Sequence, residues 1–435
     1  MIIKNVTVID GTGGAPQTGV DVLVAEGLFA DIGPTGTDFS TAPGGLDGEP
    51  VLDGQGGYLI PGLWEAHTHL SGVDRSGSPA EWSATQRKTM ADFVRAGVTS
   101  VCDLGGPLAE VRRLRETAGA DAAAPSVFFA GPCFTGHDGW PLHVGPSGPE
   151  STDIDTVLAL EMDSADAARR HVEKLVGEVD YVKCIYDSRP GHGQQLPRAV
   201  LEAVVAAGHE AGKKVLVHVA AGSDIREAAQ AGADAIEHSF IPQDPTDPSE
   251  AAQIAEILAA TGTLYCPTIV TWEQIGRVGD PNYLDELIAD GIVEPEDVSE
   301  ITARPMYGKP FTHHPADQSK IRFDYTMRTL RLFHAAGVKL VAGSDVALAM
   351  PTAAHALLRE LQLFAKAGIP CPDIITAATA HAAEKIGKQD HMGAVAIGSI
   401  ADAILLDANP LTDITHLTDA QHRRAVIKSG SLVHQ

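Results

Sequence analysis

Two histidines one residue apart stand in GLWEAHTHL, residues 62 to 70, at the end of a mostly apolar run. On an extended strand alternate side chains share a face, so His67 and His69 point the same way and Thr68 points opposite. Two neutral imidazoles on one face suit a borderline-soft divalent ion. Further groups of the same kind recur at strand-like ends: Lys183 in YVKCIYD, His218 in LVHVA, His238 in IEHSF and Asp345 in AGSD. Each has a plain structural explanation when taken singly. Lys183 could snorkel, His218 and His238 could be hydrogen-bonded core residues, and Asp345 could cap the following helix. Their coincidence at the ends of successive strands points instead to a metal centre, because a buried unpaired lysine or aspartate is costly without a partner.

The elements that must position these groups repeat. A helical stretch ends in Ala-Gly or a similar pair and a short β-branched run follows, as in DFVRAGVTSVCDLGG, HEAGKKVLVHVA, AQAGADAIEHSF and FHAAGVKLVAGSD. Helix alternating with buried strand predicts a parallel sheet. The runs LWEAHTHL, VTSVCDLG, SVFFAGPCF, DYVKCIYD, KVLVHVA, AIEHSF, LYCPTIV and VKLVAGSD supply the eight strands of an α/β (β/α)8 TIM barrel. The expected organisation is a barrel over residues 61–388 and a small β-sandwich shared by the ends, 1–60 and 389–435. The stretch from Thr271 to about Lys320 is too long for an ordinary connection and reads as a loop over the barrel mouth.

Acidic residues outnumber basic ones, 57 to 32, for a net charge of −25. That balance disfavours a nucleic-acid backbone or an anionic membrane surface as partner. MIIKNVTVIDG alternates apolar and polar residues, unlike a signal peptide, so a cytoplasmic location is expected. The five cysteines are widely spaced and fit reduced thiols. Whether the chain pairs with copies of itself stays open.

HTH after an IPGL-type entry, a strand-four lysine, strand-five and strand-six histidines and a strand-eight aspartate together resemble the amidohydrolase superfamily. The resemblance covers essentially the whole chain, including IKNVTVIDGTG and GSIADAILLDANP, which are similar to that superfamily's split β-sandwich. VTSVCDLGG, TGHDG, YVKCIYD and LLRELQLFAKAG resemble its imidazolonepropionase-like and Xaa-Pro dipeptidase (prolidase) subgroup. The resemblance implies a binuclear centre, with zinc as the expected metal. His67, His69 and Asp345 would hold the more buried ion, His218 and His238 the more exposed one, and carbamylated Lys183 would bridge them. A lysine shielded from water has a lowered pKa, so its free amine can capture CO2. A hydroxide shared by the ions would be the nucleophile, since a metal can bring water's pKa from about 16 to about 7. Asp345 would take its proton and pass it to the leaving nitrogen. The expected reaction is hydrolysis of a C–N amide bond in a dipeptide, an N-acyl amino acid or a related small-molecule amide.

Other residues carry weaker expectations. His137, in CFTGHDGW, matches a position where the subgroup often has a Gly-Gly-His segment, which implies substrate contact. Tyr186 lies three residues after Lys183 and reaches the pocket only if the backbone turns. Asp103 reads as a turn cap, Cys184 as core packing, and the His313–His314 pair as solvated. Arg189, Arg304 and Lys309 are unranked candidates for binding a substrate carboxylate. Two further functions remain. A mononuclear cyclic-amide hydrolase or deaminase is disfavoured by HVAAGS after strand five, which lacks the glutamate usual in deaminases, and by Lys183. A metal-free binding or assembly relative would be expected to have lost ligands, and none is missing.

Overall fold

The computed structural model describes residues 1–40, 50–71, 79–142, 153–303, 307–309, 314–345 and 353–435. Both ends of the chain build one sheet, ordered Ser431–His434, Arg423–Lys428, Ala403–Leu406, Tyr58–Pro61, Ile2–Val8, Gln17–Ala25 and Leu28–Pro34, with Val51–Asp53 also paired to Ile2–Val8. The ends join where Tyr58–Pro61 runs antiparallel to Ala403–Leu406. Instead of two separate sheets, one sheet folds over on itself: Ala401 N donates to Gly27 O at 2.8 Å and Gly430 N to Ala401 O at 2.9 Å. Ile3, Val22, Phe29, Leu59, Leu405 and Ile427 fill the fold.

Parallel strands begin at Leu63. Leu63–Thr68, Val98–Asp103 and Ser126–Phe129 form one sheet. Ala159–Glu161, Cys133–Thr135, Val182–Tyr186, Val215–Val219, Ala235–Glu237 and Leu264–Cys266 form a second. SVFFAGPCF, expected as one strand, is therefore two. Gly131 takes a left-handed φ of 68° and Pro132 has no N–H for a ladder, so the chain kinks between them. The first half pairs with Val98–Asp103 and the second with Val182–Tyr186, which links the two sheets. The expected eighth strand makes a single bridge among the described residues, Tyr265 to Leu340. Its backbone nevertheless ties both neighbours. Val341 N donates to Tyr265 O at 2.9 Å, Ala66 N to Ala342 O at 3.3 Å, and Asp345 N to His67 O at 2.7 Å. Gly343 permits this approach, since a Cβ there would lie 2.8 Å from both the N and Cβ of His67.

Two more expectations need correction. LYCPTIV leaves the strand at Cys266, because Thr268 takes a φ of 48° and Ile269 starts a helix, Ile269–Gly276. The long loop expected from Thr271 to about Lys320 contains the rest of that helix, then Tyr283–Ala289, Val298–Ala303 and the start of Ala316–Ala335. Its acids read as loop composition, yet Asp285 and Glu286 sit in a first helical turn, where a carboxylate complements the positive end of the helix.

Strand alternation sorts the side chains. Val182, Cys184, Tyr186, Val215, Val217 and Val219 pack against the helices. Trp64, Tyr181, Leu216, Ala235, Leu264 and Val341 fill the space enclosed by the strands. Lys183, His218 and Glu237 share that inward parity, one step nearer the strand ends, so an apolar floor lies beneath the polar groups. Each fully buried aliphatic or aromatic chain contributes about 1.5–3 kcal/mol, a rigid base for that polar layer.

Candidate metal centre

Above the floor the six predicted ligands converge. His67 Nε2 and His69 Nε2 stand 3.3 and 3.4 Å from Asp345 Oδ1, and His238 Nδ1 is 3.6 Å from Asp345 Oδ2. The His238 ring centroid lies 4.6 Å from that of His67 and 4.5 Å from that of His218. Lys183 is 1% exposed and close enough for its charge to be felt by His69, His218 and His238. The backbone pays for this convergence with strain: His238 and Asp345 hold φ of 75° and 58°, values uncommon outside glycine and concentrated at functional sites. At His238 that turn lets both Glu237 and His238, neighbours that a regular strand would send to opposite faces, reach the interior.

Three of the four rings are held by one nitrogen. His67 Nδ1 meets Glu237 Oε2 at 2.6 Å, His69 Nδ1 meets the Gly105 carbonyl at 3.2 Å, and His238 Nδ1 meets Thr268 Oγ1 at 2.9 Å. This is the anchoring that metal-ligating histidines use to fix tautomer and orientation. Among the buried polar atoms of the described residues that lack a hydrogen-bond partner are His67 Nε2 and His218 Nε2, which only face Asp345 at 3.3 Å and Asp187 at 3.5 Å, and Lys183 Nζ. Orphaned atoms of this kind call for a partner. The imidazole nitrogens are of the type that ligates a divalent cation, whereas an ammonium on Lys183 would repel one, so Lys183 fits such a site only once neutral or modified.

The electrostatics agree with that chemistry. Burial pushes the His69 and His218 imidazoles down to about 4 and His238 well below its ordinary value, so the rings stay neutral, the ligating form. Burial likewise lowers the Lys183 amine. Burial pulls Asp345 upward, but His67, His69 and Lys183 outweigh it and hold the carboxyl at about 2.

Several groups at the site had no foreshadowing in the motif. Glu237, fully buried, joins His67 to Lys385, whose Nζ is 2.6 Å from Glu237 Oε1 and 2.7 Å from the Ala66 carbonyl. Asp187 sits 3.5 Å from His218 Nε2 and accepts a fork from Arg189. Glu237 was readable as an acid inside a three-residue buried strand. Lys385, in AHAAEK, looks like an ordinary helix-surface lysine and left no local signal.

The weaker candidates scatter. His137 is largely exposed and meets Glu161 at 3.1 Å. Tyr186 turns into the strand–helix layer, where its hydroxyl donates to Glu227, because the strand stays regular at that residue. Cys184 packs in the same layer, and Asp103 accepts from Ser71 N and Gly105 N, capping the turns beside His69. His314, expected to be solvated, is packed beside Trp140 and Trp272 and bonded by Arg189 Nη1 at 3.0 Å. Lys309 is exposed; Arg304 and His313 lie outside the described residues.

Comparison with known proteins identifies the family. The amidohydrolase family matches residues 58–433. The ochratoxinase of Aspergillus niger is 25% identical over 404 residues, covering 86% of this chain and 75% of that protein. Its crystal structure superposes with a TM-score of 0.74 at 22% identity, over 99% of this chain and 94% of the other. A Xaa-Pro dipeptidase with methionine in its active site gives 0.75 at 20% identity, over 100% and 99%. Such distant structural likeness speaks to the fold, and the family match to descent: the chain belongs to the amidohydrolase family and is a hydrolase of carbon–nitrogen amide bonds.

Proposed function

We propose that this enzyme is a two-metal amidohydrolase acting on dipeptides, N-acyl amino acids or related amides, on a scaffold whose two linked parallel sheets are parts of one (β/α)8 barrel. His67, His69 and Asp345 would hold one divalent ion, His218 and His238 the second, and Lys183, as a carbamate, both; zinc suits the donor set. The observation that carries this reading is the trio of buried orphaned atoms on Lys183, His67 and His218. When bound, such ions supply Lewis acidity, acidifying water and polarising a carbonyl.

The chain's own residues do the rest. Asp345, kept ionised among the imidazoles, accepts the proton of the attacking water and returns it to the leaving nitrogen. Glu237 and Gly105 hold His67 and His69 in orientation from behind. The packed walls of Trp140, His192, His314 and Trp272 keep bulk water from the reacting groups. The mononuclear alternative gives Lys183 no task, and a metal-free binding role leaves all three orphaned atoms unexplained. The names of the two relatives add support, since one is a dipeptidase.

The test is metal removal and return, with a panel of Xaa-Pro dipeptides, N-acyl amino acids, cyclic amides and purines. Chelation should abolish amide cleavage and added zinc should restore it, with Asp345→Asn lowering kcat by about 10²–10⁴-fold. Ammonia release from a purine, or amide turnover that survives chelation, would overturn the reading.

A further inference from the structure

Arg322, on the helix Ala316–Ala335, is 2% exposed and is a poorly satisfied buried charge close to the candidate ligands. Its guanidinium carbon lies 3.7 Å over the Trp272 ring. Its hydrogen bonding amounts to one long contact, Nη2 to the Val219 carbonyl at 3.5 Å, and Nε has no partner. A guanidinium offers five N–H donors. By contrast, buried Arg359 forks onto Glu273 at 2.6 and 2.9 Å, and half-buried Arg189 onto Asp187. Among the described residues no carboxylate forms an ion pair with Arg322.

Its position is as informative as its lack of a partner. Val219, which it touches, follows His218. Trp272, on which it stacks, is 6.0 Å from the His238 ring and 5.4 Å from that of His314. Burial, reinforced by Arg189, pushes the Arg322 guanidinium down to about 9, which leaves it cationic at neutral pH. Keeping an unpaired cation out of water is costly, and a bound anion removes that cost.

We propose that Arg322 receives a free carboxylate of the substrate, so that the enzyme selects N-acyl amino acids and dipeptides over amides that lack the negative charge. The planar fork of an arginine matches a carboxylate bidentately, and Trp272 holds it flat and prevents it from swinging away. This deepens the hydrolase reading above and rests on it.

The experiment compares N-acetyl-L-alanine, N-acetyl-L-phenylalanine and N-acetyl-L-proline with their C-terminal carboxamides, measuring acetate release by the metal-loaded enzyme and by Arg322→Gln and Arg322→Lys. Wild type should favour the acid over the carboxamide by about 100-fold in kcat/KM, the scale of losing one partner of a buried charge pair. In Arg322→Gln the preference should fall to a few-fold, mainly through KM, while Arg322→Lys keeps part of it. Metal content and melting temperature identify variants that have lost the fold. Equal turnover of acid and carboxamide by wild type, or an equal loss for both in Arg322→Gln, overturns the proposal while leaving the hydrolase standing. Should wild type cleave neither compound, the hydrolase reading fails on these substrates, and tryptophan fluorescence titration decides the clamp alone. N-acetyl-L-phenylalanine should then shift the emission of wild type and leave that of Arg322→Gln unchanged, whereas no shift, or the same shift from the carboxamide, overturns it.

Discussion

Substituting Lys385 by methionine separates what the buried Glu237–Lys385 pair does for the fold from what it does for the candidate metal ligand His67. Lys385 and Glu237 are both 0% exposed, 2.6 Å apart, and Glu237 holds His67 Nδ1 at 2.6 Å with its other oxygen. Removing the ammonium leaves a buried carboxylate without its counter-charge, a loss of about 3–5 kcal/mol. Unfolding entropy of roughly 2.1 cal/mol/K per residue makes each kcal/mol worth about 1 °C in a chain of this length, so Tm should fall by about 3–5 °C. Metal affinity should drop about 10–100-fold, as it does when the partner behind a ligating histidine is disturbed. Glu237→Gln should lose both quantities by similar amounts. The decisive variant is the double change Glu237→Gln with Lys385→Met, which removes both charges. Stability should return most of the way, because a buried ion pair contributes little net stability over neutral groups of like size. Metal affinity should stay low, because an amide replaces the carboxylate behind His67. Differential scanning calorimetry and competition against a fluorescent chelator read the two quantities separately. Recovery of metal affinity in the double variant, or unchanged affinity in both single ones, would refute a positioning role for Glu237.

Three further outcomes follow from the same contacts. Gly343→Ala places a methyl 2.8 Å from the His67 backbone nitrogen and 2.9 Å from Cys266 Sγ, so the purified variant should hold less metal by elemental analysis, even where its circular dichroism matches wild type. Arg359→Met strands Glu273, which Tyr283 also contacts at 3.0 Å, inside the protein and should cost about 3–5 kcal/mol in a denaturant titration. Chelation should lower the apparent stability of wild type by about 2.7 kcal/mol relative to a sample with free zinc at 100 times Kd, and hardly at all if no native site binds the ion.

The six candidate ligands could be picked out because each stands at the end of a short β-branched run, where parity decides the face and the parallel topology decides the end. Sequence could not show how those ends bend. The left-handed turns at His238 and Asp345, which bring their side chains inward, depend on backbone hydrogen bonds to distant chain, such as Asp345 N to His67 O. The kink in strand three was written in Gly131 and Pro132, yet an apolar run on both sides hid it. The helices between Ile269 and Ala303 were obscured by prolines and acids that mark helix starts as readily as loops. Arg322 and Lys385 are the hardest cases. Each lies in a helix of ordinary composition, and its burial comes from segments more than 100 residues away in the chain, Val219 for Arg322 and Glu237 for Lys385. His314 misled for the same reason: proline-rich surroundings suggested solvent, and Trp140 and Trp272 supply the cover.

Counting metals in the purified enzyme and in Lys183→Ala, by plasma mass spectrometry against protein concentration, addresses the central claim most directly. The arrangement of ligands predicts two ions per chain in wild type and one or fewer once the bridging side chain is gone. A wild-type enzyme that is active with a single ion, or a Lys183→Ala variant that retains two, would contradict it.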